Sequence, residues 1–194
     1  MEEFAYDREK IISTAQGRLE GLPATPFLVF NTSIIHRFIK LSDAFCLLVE
    51  EGNVESAQQL LRLMLDCIMK LFAVNAIEDP NTLCEKVIFG RCQFSDVPVT
   101  ALLKTKVPVT RLYDSDILSL MKESGWFPGI GEFYGKLSSL IHASYYHAIH
   151  LIAENPKEFR IGGNGASSFE ALLRDAVEDF NRIQSTFIRL LATT

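Results

Sequence analysis

The chain reads as an all-α protein, and three features of the sequence lead there. Apolar residues recur at intervals of three and four along the longer segments, and strand-like alternation is nearly absent. The stretch Ala57–Ile77, AQQLLRLMLDCIMKLFAVNAI, is apolar on almost every side of a helix, so other elements must surround it. Glycine, proline and capping residues then cut the chain into pieces of helical length. The expected architecture is a bundle of four or five long helices, with short helices inserted between the third and the penultimate long one. A single helical domain is expected over residues 1–194, with the core bundle at about 26–192 and the short-helix insertion at 80–128.

Glu2 to Leu19 reads as the first helix, with acids at its start and Gly21-Leu22-Pro23 ending it. Pro26 suits the first position of a second helix, which carries Phe27, Phe30, Ile34, Ile35, Phe38, Leu41, Phe45 and Leu48 and stops near Gly52. Asn53 caps the third, central helix, which is expected to end near Glu78 because Pro80 disfavours helical backbone just before it. Asn81 then caps a short helix with Leu83, Val87, Ile88 and Phe89, closed by Gly90. Val97-Pro98-Val99 and Val107-Pro108-Val109 suit extended backbone, yet each holds a proline and neither has a clear partner. Asp114 or Ser115 starts another short helix to Glu123, followed by the turn Gly125-Trp126-Phe127-Pro128-Gly129. The penultimate long helix is expected from about Gly131 to Glu154. After the loop Gly162-Gly163-Asn164-Gly165, Ser167 or Ser168 caps a last helix to about Ala192.

With 194 residues and 48% apolar content, the chain can bury one sizeable core. The 19 basic residues against 24 acidic ones leave a net charge of −5, which disfavours a broad footprint for nucleic acid or anionic membrane and leaves room only for a local basic groove. Cys46, Cys67, Cys84 and Cys92 show no C-x-x-C spacing, and two of the four sit in apolar helical runs, which suits a reducing compartment. MEEFAYDREK carries charges where a signal peptide needs an apolar run. Arg62, Asp66 and Lys70 interrupt the most apolar stretch before the ~20 residues of a membrane span. A cytoplasmic protein with no membrane partner is expected.

Those three charges stand at i, i+4 and i+8, in one row along the central helix. An unpaired buried charge costs several kcal/mol, so on so apolar a helix the row needs solvent or a polar cluster. Reading the penultimate helix by fours gives such a cluster: Tyr134, Ser138, His142, Tyr146 and His150. The row drifts only about 40° per step and forms one slanted ridge beside the apolar face of Phe133, Leu137, Leu140, Ile141 and Ala148. Tyr134 lies inside that apolar arc, with Ser138 and His142 at its border. Hydroxyls and an imidazole entering a core need hydrogen-bond partners, and the Arg62–Asp66–Lys70 row is the natural one. In that picture Asp66 holds Arg62, or a histidine ring nitrogen, in place.

Such a seam is either a satisfied polar network that fixes helix register or a working site. A zinc reading of His142, His147 and His150 is weak, because His147 lies about 140° around the helix from His142 and H-x-x-H lacks further ligands. Gly162–Gly165 follows no strand and no phosphate-binding loop motif occurs, so neither a cofactor nor a metal is expected. Trp126, Phe127 and Pro128 either line a pocket mouth or, as is more frequent, pack over the end of the bundle.

The segment L-L-R-L-M-L-D (Leu60 to Asp66), followed by W-F-P-G-I-G-E-F-Y-G-K-L-S-S-L-I-H-A-S (Trp126 to Ser144), resembles an uncharacterised bacterial all-helical family. Its members carry an Arg-x-x-x-Asp/Glu pair and then a Tyr-x-x-x-Ser-x-x-x-His helix, and the resemblance covers about residues 25 to 190. That layout is similar to the HEPN superfamily of helical bundles in host-defence and toxin–antitoxin systems, many of them metal-independent ribonucleases with an R-x(4–6)-H motif. Carried over, His142 matches the motif's histidine, while the basic residue at the motif's spacing is Lys136 rather than arginine. Lysine lacks the bidentate fork of arginine, and Arg62 supplies a guanidinium only if its helix faces that of His142.

Two functions are therefore expected in competition. In the first, the seam of Arg62 and Asp66 against Tyr134, Ser138 and His142, with Tyr146 in the same polar network, is structural or binds a small ligand or protein partner. In the second, the resemblance implies a ribonuclease, with His142 as general acid/base and Arg62 or Lys136 stabilising charge on the scissile phosphate. A homodimer is implied by the resemblance, and RNA is a partner only under the second reading.

Overall fold

Asp7, Thr25, Asn53 and Asp79 each turn a side-chain oxygen onto a backbone N–H three residues on, at 2.9, 3.2, 3.3 and 3.2 Å. Each satisfies a donor that the first turn of a helix leaves without a partner. These caps start the first four helices of the structure, a computed structural model that describes residues 6–77, 79–91, 113–141 and 166–193. The helices are α1 (Arg8–Leu19), α2 (Pro26–Glu50), α3 (Val54–Asn75), α4 (Pro80–Ile88), α5 (Asp114–Glu123), α6 (Ile130–Ile141) and α7 (Ala166–Thr193). Among the described residues there is no strand, and the fold is all-α.

Four boundaries differ from expectation, each for a local reason. α1 starts at Arg8 rather than Glu2, because Asp7 is its cap and Tyr6 is drawn inward, its hydroxyl 2.9 Å from Asp43 Oδ1. α3 ends at Asn75, short of Glu78, where Asn75 Nδ2 donates back to the carbonyl of Leu71 at 2.7 Å. Asp79, not Asn81, caps α4; Asn81 Oδ1 instead accepts from the backbone N–H of Phe27 in the first turn of α2, at 3.2 Å. Ser167 and Ser168 lie within α7, which begins at Ala166. The two Val-Pro-Val segments, the Gly162–Gly165 loop and the stretch from 142 to Glu154 lie outside the described residues.

α1, α2, α3 and α7 close a ring in which each packs on its two neighbours. Phe38 stacks on Phe187 with centroids 3.6 Å apart, and Phe45 on Phe180 at 4.5 Å. Both pairs bridge the diagonal from α2 to α7, and all four rings are fully buried. The seven-residue step rises along α2 and falls along α7, so the two helices run antiparallel. Arg18, near the end of α1, donates to the carbonyl of Leu191 at 3.3 Å and to Asn75 Oδ1 at 3.4 Å. The C-terminal ends of α1, α3 and α7 therefore share one pole, which gathers three negative helix ends around a guanidinium.

α3 is the hub, packed against α2, α4, α5, α6 and α7, which is why it is apolar on nearly every side. α6 descends antiparallel to α3: Trp126, just before it, meets Phe72, while Ser138 farther along reaches Arg62 ten residues earlier on α3. One hydrophobic cluster draws on all seven helices. Ile11 and Ala15 of α1 belong to it, so the core begins before residue 26. Leu83 and Cys84 of α4, Ile117, Leu120 and Met121 of α5, and Phe127 of the turn after it belong to it as well, so the short helices expected as an insertion contribute to the core.

Candidate functional site

The only carriers of charge on the core-facing middle of α3 are Arg62, Asp66 and Lys70. Arg62 is buried, 8% exposed, and the α6 ridge and the start of α5 converge on it. Its Nε donates to Ser138 Oγ at 3.2 Å, Nη1 donates to Asp66 Oδ1, and Nη2 donates to Asp114 Oδ2 at 3.3 Å. The Tyr134 ring covers one face of the guanidinium, with Cζ 4.0 Å from the ring centroid. The Tyr134 hydroxyl also donates to Asp114 Oδ2, at 2.8 Å. Five side chains from three helices thus form one network, with one positive and two negative formal charges. Lys70 stands half-buried one turn beyond Asp66.

Burial by itself disfavours the Arg62 cation, but the hydrogen bond and charge of Asp66, helped by Tyr134, shift the balance and raise its pKa. Burial and the bond to Asp114 raise the Tyr134 phenol against the opposing pull of Arg62, so it remains a neutral donor. The exposure of the network is uneven. The Asp66 side chain is 29% exposed and that of Asp114 56%, so solvent reaches the carboxylates rather than the guanidinium.

The structure therefore brings together Arg62, Asp66, Tyr134 and Ser138. It does not bring Lys136 to them. Lys136 projects from another side of α6, where its Nζ lies 2.8 Å from Asp179 Oδ2 on α7. Asp179 is buried, and burial raises its pKa while Lys136 pulls it down. His142, Tyr146, His147 and His150 lie outside the described residues. The member that sequence reasoning missed is Asp114. As the first residue of a short helix it reads as a helix start, and nothing local ties it to an arginine 52 positions earlier.

The Trp126–Pro128 turn packs over the bundle. Phe127 is buried against Phe133 at 5.3 Å, and Trp126 meets Phe72 edge-on at 6.4 Å. Arg182 lies over both Phe127 and Phe133 and donates to the carbonyl of Pro128 at 2.6 Å, while Arg189 lies over Trp126. Cys46, Cys67 and Cys84 are free thiols. Burial pushes Cys67 up to about 11 and Cys84 up to about 12, which leaves almost no nucleophilic thiolate near neutral pH. Among the described residues no group of three or more His, Cys, Asp or Glu side chains is placed to hold a metal. No helix among them is long and apolar enough to cross a membrane.

Fold and site together define an all-α bundle with a buried arginine clamp joining three helices. No protein-family model, curated protein or solved structure matches the chain.

Proposed function

We propose that the protein is a non-catalytic helical module, cytoplasmic, whose Arg62 seam holds α5 and α6 in register on α3. One observation carries this reading: all three guanidinium nitrogens of Arg62 are engaged by Asp66, Asp114 and Ser138, and Tyr134 covers a face. A phosphate-stabilising arginine needs a free edge aimed at the developing charge, and here two carboxylates already outweigh the cation. The Lys136–Asp179 pair likewise commits the lysine to packing. A partner, whether a second copy of the chain or another protein, would then meet a preformed rigid surface.

A second reading has one observation in its favour. Arg62 faces the edge of α6 that carries Tyr134 and Ser138, the juxtaposition that the resemblance to helical ribonucleases requires. Under it, His142 supplies the general acid/base and Arg62 the positive charge. Incubating the pure protein with mixed RNA in EDTA, beside the His142→Ala variant, separates the two. We expect both to leave the RNA intact. Cleavage by the wild type that the variant loses would overturn the non-catalytic reading and establish the second.

A further inference from the structure

Two donors from different helices converge on one oxygen atom. Arg62 Nη2 on α3 and the Tyr134 hydroxyl on α6 lie 3.3 and 2.8 Å from Asp114 Oδ2, which α5 brings in from outside. The donors are the fixed part of this arrangement. The Arg62 side chain is 9% exposed, held by Asp66 on one nitrogen and Ser138 on another, with its face against the ring that carries the second donor. The acceptor is the removable part, since Asp114 is more than half exposed and is the first residue of a ten-residue helix. Asp114 is not needed to cap that helix either, because Asp116 Oδ2 accepts from the Tyr113 backbone N–H at 3.1 Å. A preformed pair of donors around a planar acceptor is the arrangement with which proteins bind carboxylates.

We propose that Arg62 and Tyr134 form a carboxylate-binding site that the chain fills with its own Asp114, and that a small free carboxylate can take that place. Charge selects the ligand class. With Asp114 removed, Arg62 and Asp66 cancel formally, and one incoming monoanion restores the native balance. A phosphate dianion overshoots it and binds less well.

Chemical rescue tests the site. Asp114→Ala deletes the carboxyl group and leaves a space that formate matches in size and charge. At constant ionic strength, replacing chloride by formate should raise the Tm of Asp114→Ala saturably by about 2–5 °C. The wild type should show no such rise, and inorganic phosphate should give a smaller one. Adding Tyr134→Phe to Asp114→Ala removes one donor and should cut the formate response at least by half. If Asp114→Ala is unfolded in chloride, formate should refold it, as read by the fluorescence of Trp126. Equal responses of wild type and variant, a response unaffected by Tyr134→Phe, or no formate-specific response at any concentration would each overturn the proposal. Formate binding is read from stability and RNA cleavage from products, so the two outcomes fail independently.

Discussion

Replacing Arg62 by methionine keeps the length and bulk of the side chain while deleting every polar contact of the clamp. Arg62 makes charge-assisted bonds to Asp66 and Asp114, a neutral bond to Ser138 and a stack on Tyr134. Charge-assisted bonds contribute about 1.5–3 kcal/mol when shielded and neutral ones about 1. Asp66 is 29% exposed, which puts its bond at the low end, and Asp114 at 56% adds less than about 1 kcal/mol. The stack adds about 0.5–1 kcal/mol. Against this total of roughly 4 stands the desolvation of the cation, which methionine escapes. What methionine does not escape is the pair of carboxylates left without their shared cation. The expected net loss is about 2–3 kcal/mol, or roughly 5–10 °C in Tm for a chain of this size. Urea unfolding followed by the fluorescence of Trp126, the single tryptophan, reads it where α5 turns into α6. Adding Asp66→Asn and Asp114→Asn to Arg62→Met should recover part of the loss, because the repulsion goes with the charges. A methionine variant within about 0.5 kcal/mol of wild type would refute the clamp, as would a triple variant no more stable than Arg62→Met.

Two further outcomes are expected elsewhere in the bundle. Burial raises the carboxyl of Asp179, so the folded chain holds that proton more tightly than the unfolded one. Stability from this site is then fully present below the unfolded carboxylate value of ~3.9 and is lost as pH rises through the folded pKa. Wild type should therefore gain on Asp179→Asn as pH is lowered from neutral into the carboxylate range, and a pH-independent difference in unfolding free energy would contradict this. In a Cys92→Ser variant the three thiols Cys46, Cys67 and Cys84 should resist a thiol-disulfide reagent at pH 8 and all react after denaturation, since burial raises each of them. Rapid native labelling of Cys67 or Cys84 would show that their helices open more readily than the packing implies.

The helices are legible in the sequence because apolar residues recur along them at three and four, and the first four also open on a side-chain cap. Boundaries went wrong where two residues compete for one role. Asp79 and Asn81 both suit a cap, and the choice was made by Phe27, whose N–H needed Asn81. α1 is hard to read as a core element because only Ile11 and Ala15 are buried on a mostly polar helix, too sparse a stripe to read without its neighbours. The rows on α3 and α6 could be read separately from their spacing. Which of their members meet depends on crossing geometry, and of the ridge on α6 it is Tyr134 and Ser138 that the structure describes against Arg62. Lys136 and Asp114 show the limit: motif spacing offers Lys136 to the site only under the ribonuclease reading, and its Nζ meets Asp179, while Asp114 is the helix start its sequence predicts and is also a partner of Arg62. Both follow from long-range docking that no local pattern encodes.

Apolar packing alone leaves that docking underdetermined. α3 is apolar around most of its surface, and a helix with so little polar contrast can rotate or slide against its neighbours at small cost, since hydrophobic contact has no direction. α6 buries Phe133, Leu137 and Leu140 in the shared core, and apolar contacts of this kind carry little directional information about its height on α3. A single guanidinium removes that freedom. Its three nitrogens point in fixed directions, so Ser138, Asp66 and Asp114 are satisfied together only at one rotation of α3 and one height of α6 and α5. A slip by one turn would strand a nine-tenths buried cation, at a cost of several kcal/mol that no shifted apolar contact returns. On the proposed reading, the polar row in the middle of the central helix is the feature that makes this bundle one structure rather than several.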